Sequence, residues 1–192
     1  MREKSMVSIR TADIGDAGVL ADLARQTFHE TFAAQNSSEN MDAYMKEAFT
    51  VGRLTAEIGE PGAVYLVAEA PPRAIGFARV APADPPACIT GPSPVRLVKL
   101  YVSADAIGSG VGAALMRSSI EWAKNSGHKC LWLGVWEHNH RAKAFYERWR
   151  FVSVGTEMFR LGNDDQTDVL MQLMLSDRAG GDHPGDRGTD RD

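Results

Sequence analysis

Two kinds of hydrophobic spacing alternate along the first quarter of the chain. Residues 7–12 (VSIRTA) alternate between apolar and polar side chains, which is typical of a short strand. Residues 13–34 then carry apolar side chains three and four positions apart, which predicts a helix: Val19, Leu20, Leu23, Ala24, Phe28 and Phe32. A second helix is predicted over residues 36–49, where Asn36 and Glu39 have the spacing of a capping pair.

The rest of the pattern predicts more strands than helices. Apolar residues 63–70 and 75–82 flank the turn PPRA, as in a β-hairpin, and a loop rich in Pro and Gly follows. Further strands are predicted at residues 95–102, 130–136, 151–161 and 167–175, and further helices at residues 111–127 and 140–149. We therefore predict an α/β (α+β) fold, in which a mixed, mostly antiparallel sheet carries helices on both faces.

Composition sets the domain limits. The chain has 192 residues, of which 44% are hydrophobic, and this suits one domain, predicted over residues 7–176. Residues 1–6 are predicted to be a flexible N-terminus, and residues 177–192, which are almost without apolar side chains, a disordered tail. No apolar run is long enough to span a bilayer or to form a signal peptide, so we expect a cytoplasmic protein without membrane contact.

Charge and metal-ligand spacing narrow the function classes. The net charge is −4, so no broad basic surface indicates nucleic acid binding. Cys88 and Cys130 lie far apart without metal-ligand spacing, and His138 and His140 have no third ligand beside them. We expect neither a metal site nor a disulfide framework.

The stretch AIGSGVGAALM, residues 106–116, places glycines at 108, 110 and 112 between a predicted strand and a predicted helix. A nucleotide P-loop would need Lys and Ser or Thr after the last glycine, where Ala113 and Ala114 stand. The dinucleotide-binding fingerprint fits Gly108, Gly110 and Ala113, but that fold is built from repeated βαβ units rather than hairpin-linked strands. Two interpretations stay open: a coenzyme A pyrophosphate turn, and a tight turn that binds no ligand.

The glycine turn resembles the GNAT family of N-acetyltransferases, whose signature is Q/R-x-x-G-x-G/A. Gly110 and Gly112 match its glycines, while Ile107 replaces the usual Gln or Arg. A later motif of the family, with Asn, a small residue and Tyr, is similar to Asn139, Ala142 and Tyr146. Arg150 replaces the glycine that precedes the matching Phe. Outside this resemblance, Asn139 would be a helix N-cap and Tyr146 a core aromatic.

A closer resemblance covers about residues 7 to 175. The stretches FHETFAAQNSSENMDAYMKEAF, LWLGVWEHNHRAKAFYERWRFVSVG and GNDDQTDVLM are similar to bacterial spermidine/spermine N-acetyltransferases of the PaiA type. This resemblance implies the GNAT fold and direct transfer of an acetyl group from acetyl-CoA to an amine, here a polyamine. Dimerisation is common in the resembling family, so a homodimer is an open expectation.

The resemblance also implies roles for individual residues. Tyr146 would protonate the departing thiolate. From its position at the end of the fifth predicted strand, Glu137 is the first candidate for the base that deprotonates the amine, with Glu30 second, and either carboxylate could instead bind a substrate ammonium. Acetyl-CoA would contact the strand end, the glycine turn and the second motif: Leu100, Tyr101, Val102, Ile107, Gly108, Ser109, Gly110, Val111, Gly112, Asn139, Ala142 and Tyr146. The candidates for contacting the amine substrate are Glu30, Tyr44, Trp136, Glu137 and Asp168.

Two other functions remain open at this stage. The acceptor could be a protein N-terminus or another small amino compound rather than a polyamine. A regulatory module that binds acetyl-CoA without turnover would keep the glycine turn, but it would not need a proton donor such as Tyr146.

Overall fold

The computed structural model describes residues 7–175. The predicted N-terminal segment 1–6, Ser176 and the predicted tail 177–192 lie outside the described residues. The described part contains seven strands and five helices in the chain order β1, α1, α2, α3, β2, β3, β4, α4, β5, α5, β6, β7. The strands are β1 Ser8–Thr11, β2 Val64–Ala70, β3 Arg73–Ala81, β4 Pro94–Val102, β5 Cys130–Trp136, β6 Val152–Leu161 and β7 Asp164–Met174. The helices are α1 Ala17–Phe32, α2 Ser38–Ala48, α3 Val51–Ile58, α4 Val111–Asn125 and α5 His140–Arg148.

All seven strands form one sheet in the order β1-β2-β3-β4-β5-β7-β6. Every neighbouring pair is antiparallel except β4 and β5, which are parallel. Helices α1 to α3 pack on one face of the sheet, and α4 and α5 pack on the other. The predicted mixed, mostly antiparallel sheet with helices on both faces is therefore confirmed.

The hydrophobic spacing of α1 and α4 explains their packing. Leu20, Ala24 and Phe28 of α1 are buried against the face that carries Tyr65 and Phe77. On the opposite face, α4 buries a row of side chains at helical spacing: Val111, Leu115, Met116, Ser119 and Ala123. Each helix thus removes one apolar stripe from water and fixes the position of its N-terminus over the sheet.

The structure corrects the prediction for the start of the second helix. Ser37, rather than Asn36, is the N-cap of α2, because its hydroxyl accepts a hydrogen bond from the amide of Asn40 at 3.3 Å. Asn36 instead donates to the carbonyl of Phe32 and accepts from Gln166 on β7. The short helix α3, which the periodicity did not predict, is capped by Thr50 and buries Leu54.

Two helices end in the same backbone motif with different residues. Gly127 follows α4 with φ of 85°, and the amide of His128 returns to the carbonyl of Ala123. Arg150 follows α5 with φ of 67°, and the amide of Phe151 returns to the carbonyl of Tyr146. Arg150 therefore takes the left-handed conformation that glycine adopts most easily, and the bend into β6 is kept.

Candidate active site

The sheet opens between its two parallel strands. β4 pairs with β5 only over Pro94–Arg96, opposite Cys130–Trp132, and then continues to Val102 beside β3 alone. A cavity of about 810 Å³ lies in this opening and reaches the glycine turn at one end. The divergence of the two strands leaves main-chain groups of β4 facing the cavity, where an extended ligand can bind them.

The glycine turn has the conformation needed to bind an anion. Gly108 and Gly110 have φ of 84° and 90°, and a side chain at either position would project into open space. Gly110 is the N-cap of α4, so the amides of the first helical turn, from Val111 to Ala113, have no partner within the helix. These amides and the helix dipole favour a phosphate group at this end of the cavity.

Two of the predicted amide donors are used inside the turn itself. The amide of Ile107 donates to the carbonyl of Ala104, and the amide of Ser109 donates to the carbonyl of Ala106, both at 3.3 Å. The Ser109 hydroxyl donates to the same Ala106 carbonyl at 2.6 Å. The amides of Ile107 and Ser109 are therefore occupied within the turn, and the amides without a partner in the helix are those of its first turn, Val111 to Ala113.

The other predicted cofactor residues lie on both sides of the cleft. Leu100, Tyr101 and Val102 line the cavity from β4, and Ala142 lines it from α5. Asn139 also faces the cavity, and its side-chain oxygen caps α5 by accepting from the amide of Ala142 at 3.1 Å. The N-cap interpretation of Asn139 is thus correct, and it leaves the side-chain NH₂ for a ligand.

Tyr146 is held rigidly at the cavity wall. It is only 9% exposed, and its ring packs against Phe145 and Phe151. Burial raises the pKa of its hydroxyl well above the ordinary value, so the group keeps its proton at neutral pH. A protonated hydroxyl fixed beside the cleft can donate a proton to a leaving group.

Of the carboxylates predicted to contact the substrate, Asp168 is the one that lines the cavity, together with Glu57 and Glu157, which were not predicted. It lies on β7 opposite Trp136 of β5 and Glu157 of β6. Burial, and next the negative charge of Glu157, raise the pKa of Asp168 to about 6, against the opposing effect of Arg96. Asp168 is thus mostly ionised at neutral pH. Because its pKa lies close to neutral pH, it can also take up a proton there.

Three charged side chains converge on Gly134 of β5. A methyl group at this position would lie 2.8 Å from Glu157 Oε1, 3.2 Å from Asp168 Oδ2 and 3.4 Å from Arg96 Nη2. Arg96 also donates from Nη2 to Glu157 Oε1 at 2.7 Å. The lack of a side chain at Gly134 therefore makes room for the charged cluster, which the sequence pattern alone did not reveal.

The structure does not place Glu137 in the cavity, and the expectation that it is the first candidate base is not supported. β5 ends at Trp136, and the main chain of Glu137 is then held by Thr167 and by the Lys143 ammonium. The carboxylate is half-exposed, with His138 Nε2 at 3.9 Å. Glu137 is thus not among the residues that line the cavity.

Glu30 does not line the main cavity, and its carboxylate accepts two hydrogen bonds within the fold. Its Oε2 accepts a hydrogen bond from the amide of Ala104 at 3.0 Å, and its Oε1 accepts one from Gln26 at 2.8 Å. Ala104 begins the short turn that leads from β4 to the glycines. Glu30 therefore ties α1 to the base of the glycine turn, beside a shallower pocket of about 330 Å³.

Tyr44 and Trp136 provide an apolar wall. Tyr44 stacks on Phe28 with ring centroids 4.8 Å apart, and Trp136 packs edge-on against Phe32 at 5.8 Å. Both residues line the cavity, as does Phe159 of β6. Burial raises the pKa of Tyr44, so this hydroxyl stays neutral.

A further charged network, on the α3 side of the cavity, was missed by the sequence analysis. Lys99 Nζ lies 2.6 Å from Glu57 Oε2, and the Tyr65 hydroxyl donates to the same oxygen at 2.6 Å. Arg53 and Arg79 reach the cavity beside them. Lys99 directly precedes the predicted cofactor residues Leu100 to Val102 on β4, but only the position of α3 reveals that it meets a carboxylate.

Among residues 7–175, no group of three or more His, Cys, Asp or Glu side chains could hold a metal ion. In the same range, no helix is long and apolar enough to cross a membrane.

A helix end suited to a phosphate, a buried tyrosine hydroxyl and a carboxylate lie along one cleft, an arrangement that suits an enzyme that moves a group from a phosphate-bearing carrier to an acceptor. The chain matches the acetyltransferase (GNAT) family over residues 22–151 and belongs to that family. It is an acetyl-CoA-dependent N-acetyltransferase. The resemblance stated from the two motifs is confirmed at the level of the family.

Relatives and solved structures agree with this membership. The chain is 30% identical to an uncharacterized N-acetyltransferase of Mycobacterium tuberculosis over 156 residues, 81% of this chain and 96% of the relative. It is 29% identical to one of Lactobacillus delbrueckii subsp. lactis, over 80% of this chain and 88% of the relative. A PaiA N-acetyltransferase from Thermoplasma acidophilum, solved with coenzyme A, has a similar fold, with a TM-score of 0.71 and 21% identity over 88% of this chain and 99% of that one.

Proposed function

We propose that this enzyme acetylates a primary amine of a small molecule, and that the acceptor is a polyamine such as spermidine or spermine. The observation that carries the proposal is the position of Asp168, a carboxylate in the cavity beside an aromatic wall. A carboxylate attracts the ammonium of an acceptor, and Tyr44 and Trp136 offer apolar surface to its methylene chain. Both features suit a chain of methylene groups that ends in an amine.

In this proposal Asp168 takes over the role that the sequence analysis gave to Glu137. An alkyl ammonium has a pKa near that of lysine, about 10.4, and must lose a proton before its nitrogen can attack. Above about pH 6 Asp168 is ionised and can accept this proton directly or through water. Tyr146, which burial keeps protonated, donates a proton to the leaving thiolate.

The donor is proposed to bind along the other half of the cleft. Acetyl-CoA, when bound, supplies an acetyl thioester and a pyrophosphate. The first-turn amides of α4 and the open side of Gly110 suit the pyrophosphate, and the β4 edge from Leu100 to Val102 suits the extended arm. Asn139 and Ala142 complete this half from the α5 side.

One experiment distinguishes a polyamine acceptor from a peptide acceptor and from a protein without turnover. Thiol release from acetyl-CoA is measured with spermidine, spermine and a peptide that has a free N-terminus, and the products are identified by mass spectrometry. We expect release with the polyamines, reduced in Asp168→Asn and retained in Asp165→Asn, a substitution at an exposed position of the same strand. A preference for the peptide would overturn the polyamine assignment, and binding of acetyl-CoA without release for any amine would favour a regulatory module. The cytoplasmic location and the homodimer stay predictions.

A further inference from the structure

The cavity has a region with surplus positive charge, separate from the carboxylates described above. This basic region consists of Arg53 on α3, Arg79 on β3 and Lys99 on β4, all of which line the cavity. Their carboxylate partners are Glu57 and Glu60. Three cations against two carboxylates leave one positive charge in excess.

Arg79 is the member of the basic region with an unused donor. Its residue is 7% exposed, and its Nε has no hydrogen-bond partner within residues 7–175. Glu57 Oε2, at 3.8 Å, is too distant for a hydrogen bond to this nitrogen. A buried guanidinium donor without a partner is unfavourable, so an oxygen from a ligand in the cavity would stabilise it.

A second region of the cavity, on β6 and β7, has the reverse charge. Asp168 and Glu157 face Arg96, and two carboxylates against one guanidinium leave one negative charge in excess. The cavity thus offers an acidic region (Asp168 and Glu157) on β7 and β6 and a basic region across α3, β3 and β4. A ligand that carries an ammonium at one end and an anion at the other complements both regions.

We propose that the basic region binds a carboxylate of the acceptor, so that linear aminocarboxylates are a further acceptor class of this enzyme. This inference rests on the proposed acetylation of small-molecule amines and extends it beyond polyamines. In the reaction the amine nitrogen forms an amide bond to the acetyl carbon, the carbon–sulfur bond of the thioester breaks, and the amine loses a proton while the thiolate gains one. The carboxylate is unchanged and only positions the acceptor.

The test compares acceptors that differ only in the carboxylate. Thiol release from acetyl-CoA is measured with γ-aminobutyrate and ε-aminocaproate against n-butylamine and n-hexylamine, with spermidine in parallel. We expect kcat/KM to be about tenfold higher for one of the aminocarboxylates than for its matched alkylamine, since one charge-assisted hydrogen bond has this effect. Equal values for both members of each pair would overturn the proposal.

Variants at Arg53 separate recognition from folding, because this side chain is 57% exposed, whereas Arg79 is buried and the Lys99 side chain is only 12% exposed. The preference for the carboxylate is the ratio of kcat/KM for an aminocarboxylate to kcat/KM for its matched alkylamine. In Arg53→Gln this ratio is expected to fall towards one, because KM for the aminocarboxylate rises. In Arg53→Lys the ratio is expected to recover in part. Arg160→Gln, at an exposed position of β6, is the matched control and should keep the wild-type preference. A preference that survives in Arg53→Gln would contradict the assignment.

If no amine is acetylated, spermidine included, the proposed function itself fails, which is distinct from a failure of the basic region alone.

Discussion

The replacement of Asp168 by Asn should stabilise the protein at high pH while it impairs catalysis. In the wild type, Asp168 is partly buried in the cavity, close to the like charge of Glu157. Its pKa is raised from 3.8 to about 6, so the folded protein binds this proton more tightly than the unfolded chain does. The contribution of Asp168 to stability is therefore present below about pH 4 and is lost as the pH rises through about 6.

The size of this loss follows from the two pKa values. One pKa unit corresponds to about 1.4 kcal/mol, so a rise from 3.8 to about 6 makes the ionised carboxylate less favourable by about 3 kcal/mol at most. Of this, about 2 kcal/mol is lost between about pH 4.5 and about pH 8. The amide side chain introduced by Asp168→Asn does not titrate, so the stability of the variant relative to wild type should grow by that amount over this range.

The assay is urea unfolding of wild type and Asp168→Asn at several pH values, with kcat/KM for the amine measured in parallel. Wild-type kcat/KM should rise through an apparent pKa near 6, and the variant should lack this rise. Asp165→Asn, at an exposed position of the same strand, should change the unfolding free energy by less than about 0.5 kcal/mol at each pH. A stability difference between Asp168→Asn and wild type that does not vary with pH would contradict a raised pKa of Asp168 in the folded protein.

Three further substitutions follow from the geometry. Gly134→Ala places a methyl 2.8 Å from the Glu157 carboxylate, so kcat/KM for the amine should fall by about tenfold while calorimetry shows wild-type affinity for acetyl-CoA. Arg150→Gly removes a side chain from a backbone with φ of 67° and should raise the free energy of unfolding by about 0.5 to 1 kcal/mol in urea titrations. Glu30→Ala removes the acceptor of the Ala104 amide, so KM for acetyl-CoA should rise about fivefold in steady-state assays.

A different result would contradict the prediction for each of the three substitutions. Weaker acetyl-CoA binding in Gly134→Ala would mean that the charged cluster belongs to the donor half of the cleft. Lower stability of Arg150→Gly would show that side-chain contacts of Arg150 outweigh its backbone strain. An unchanged KM in Glu30→Ala would show that the glycine turn keeps its shape without α1, and Glu30→Gln, which keeps an acceptor oxygen, should lie between wild type and Glu30→Ala.

The elements that carry a long periodic pattern could be predicted from the sequence. α1 and α4 each have an apolar stripe at helical spacing, and the hairpin of β2 and β3 is marked by its turn. By contrast, α3 has eight residues and buries only Leu54, so its pattern is too short to recognise. The start of α2 was misassigned because two polar residues in a row, Asn36 and Ser37, could each cap it.

Some residues of the candidate site could likewise be predicted from local sequence motifs, and others could not. Residues within the two motifs, such as Gly110, Ala142 and Tyr146, are close in sequence to the helix ends that position them, so their spacing predicts that they face one cleft. The choice between Glu137 and Asp168 depends on how β7 pairs with β5, a contact between segments about thirty residues apart. The meeting of Lys99 with Glu57 depends on how α3 packs on the sheet, which no local pattern contains.

We propose an acetyl transfer to an amine in the cleft between β4 and β5, with Tyr146 as the proton donor. It is tested most directly by thiol release from acetyl-CoA in the presence of spermidine, in wild type and in Tyr146→Phe, with far-UV circular dichroism to show that the variant is folded. We expect amine-dependent release by the wild type and a kcat lower by about a hundredfold or more in Tyr146→Phe. Equal kcat in both proteins would contradict the role of Tyr146, and no release by a wild type that binds acetyl-CoA would contradict the acetylation of spermidine.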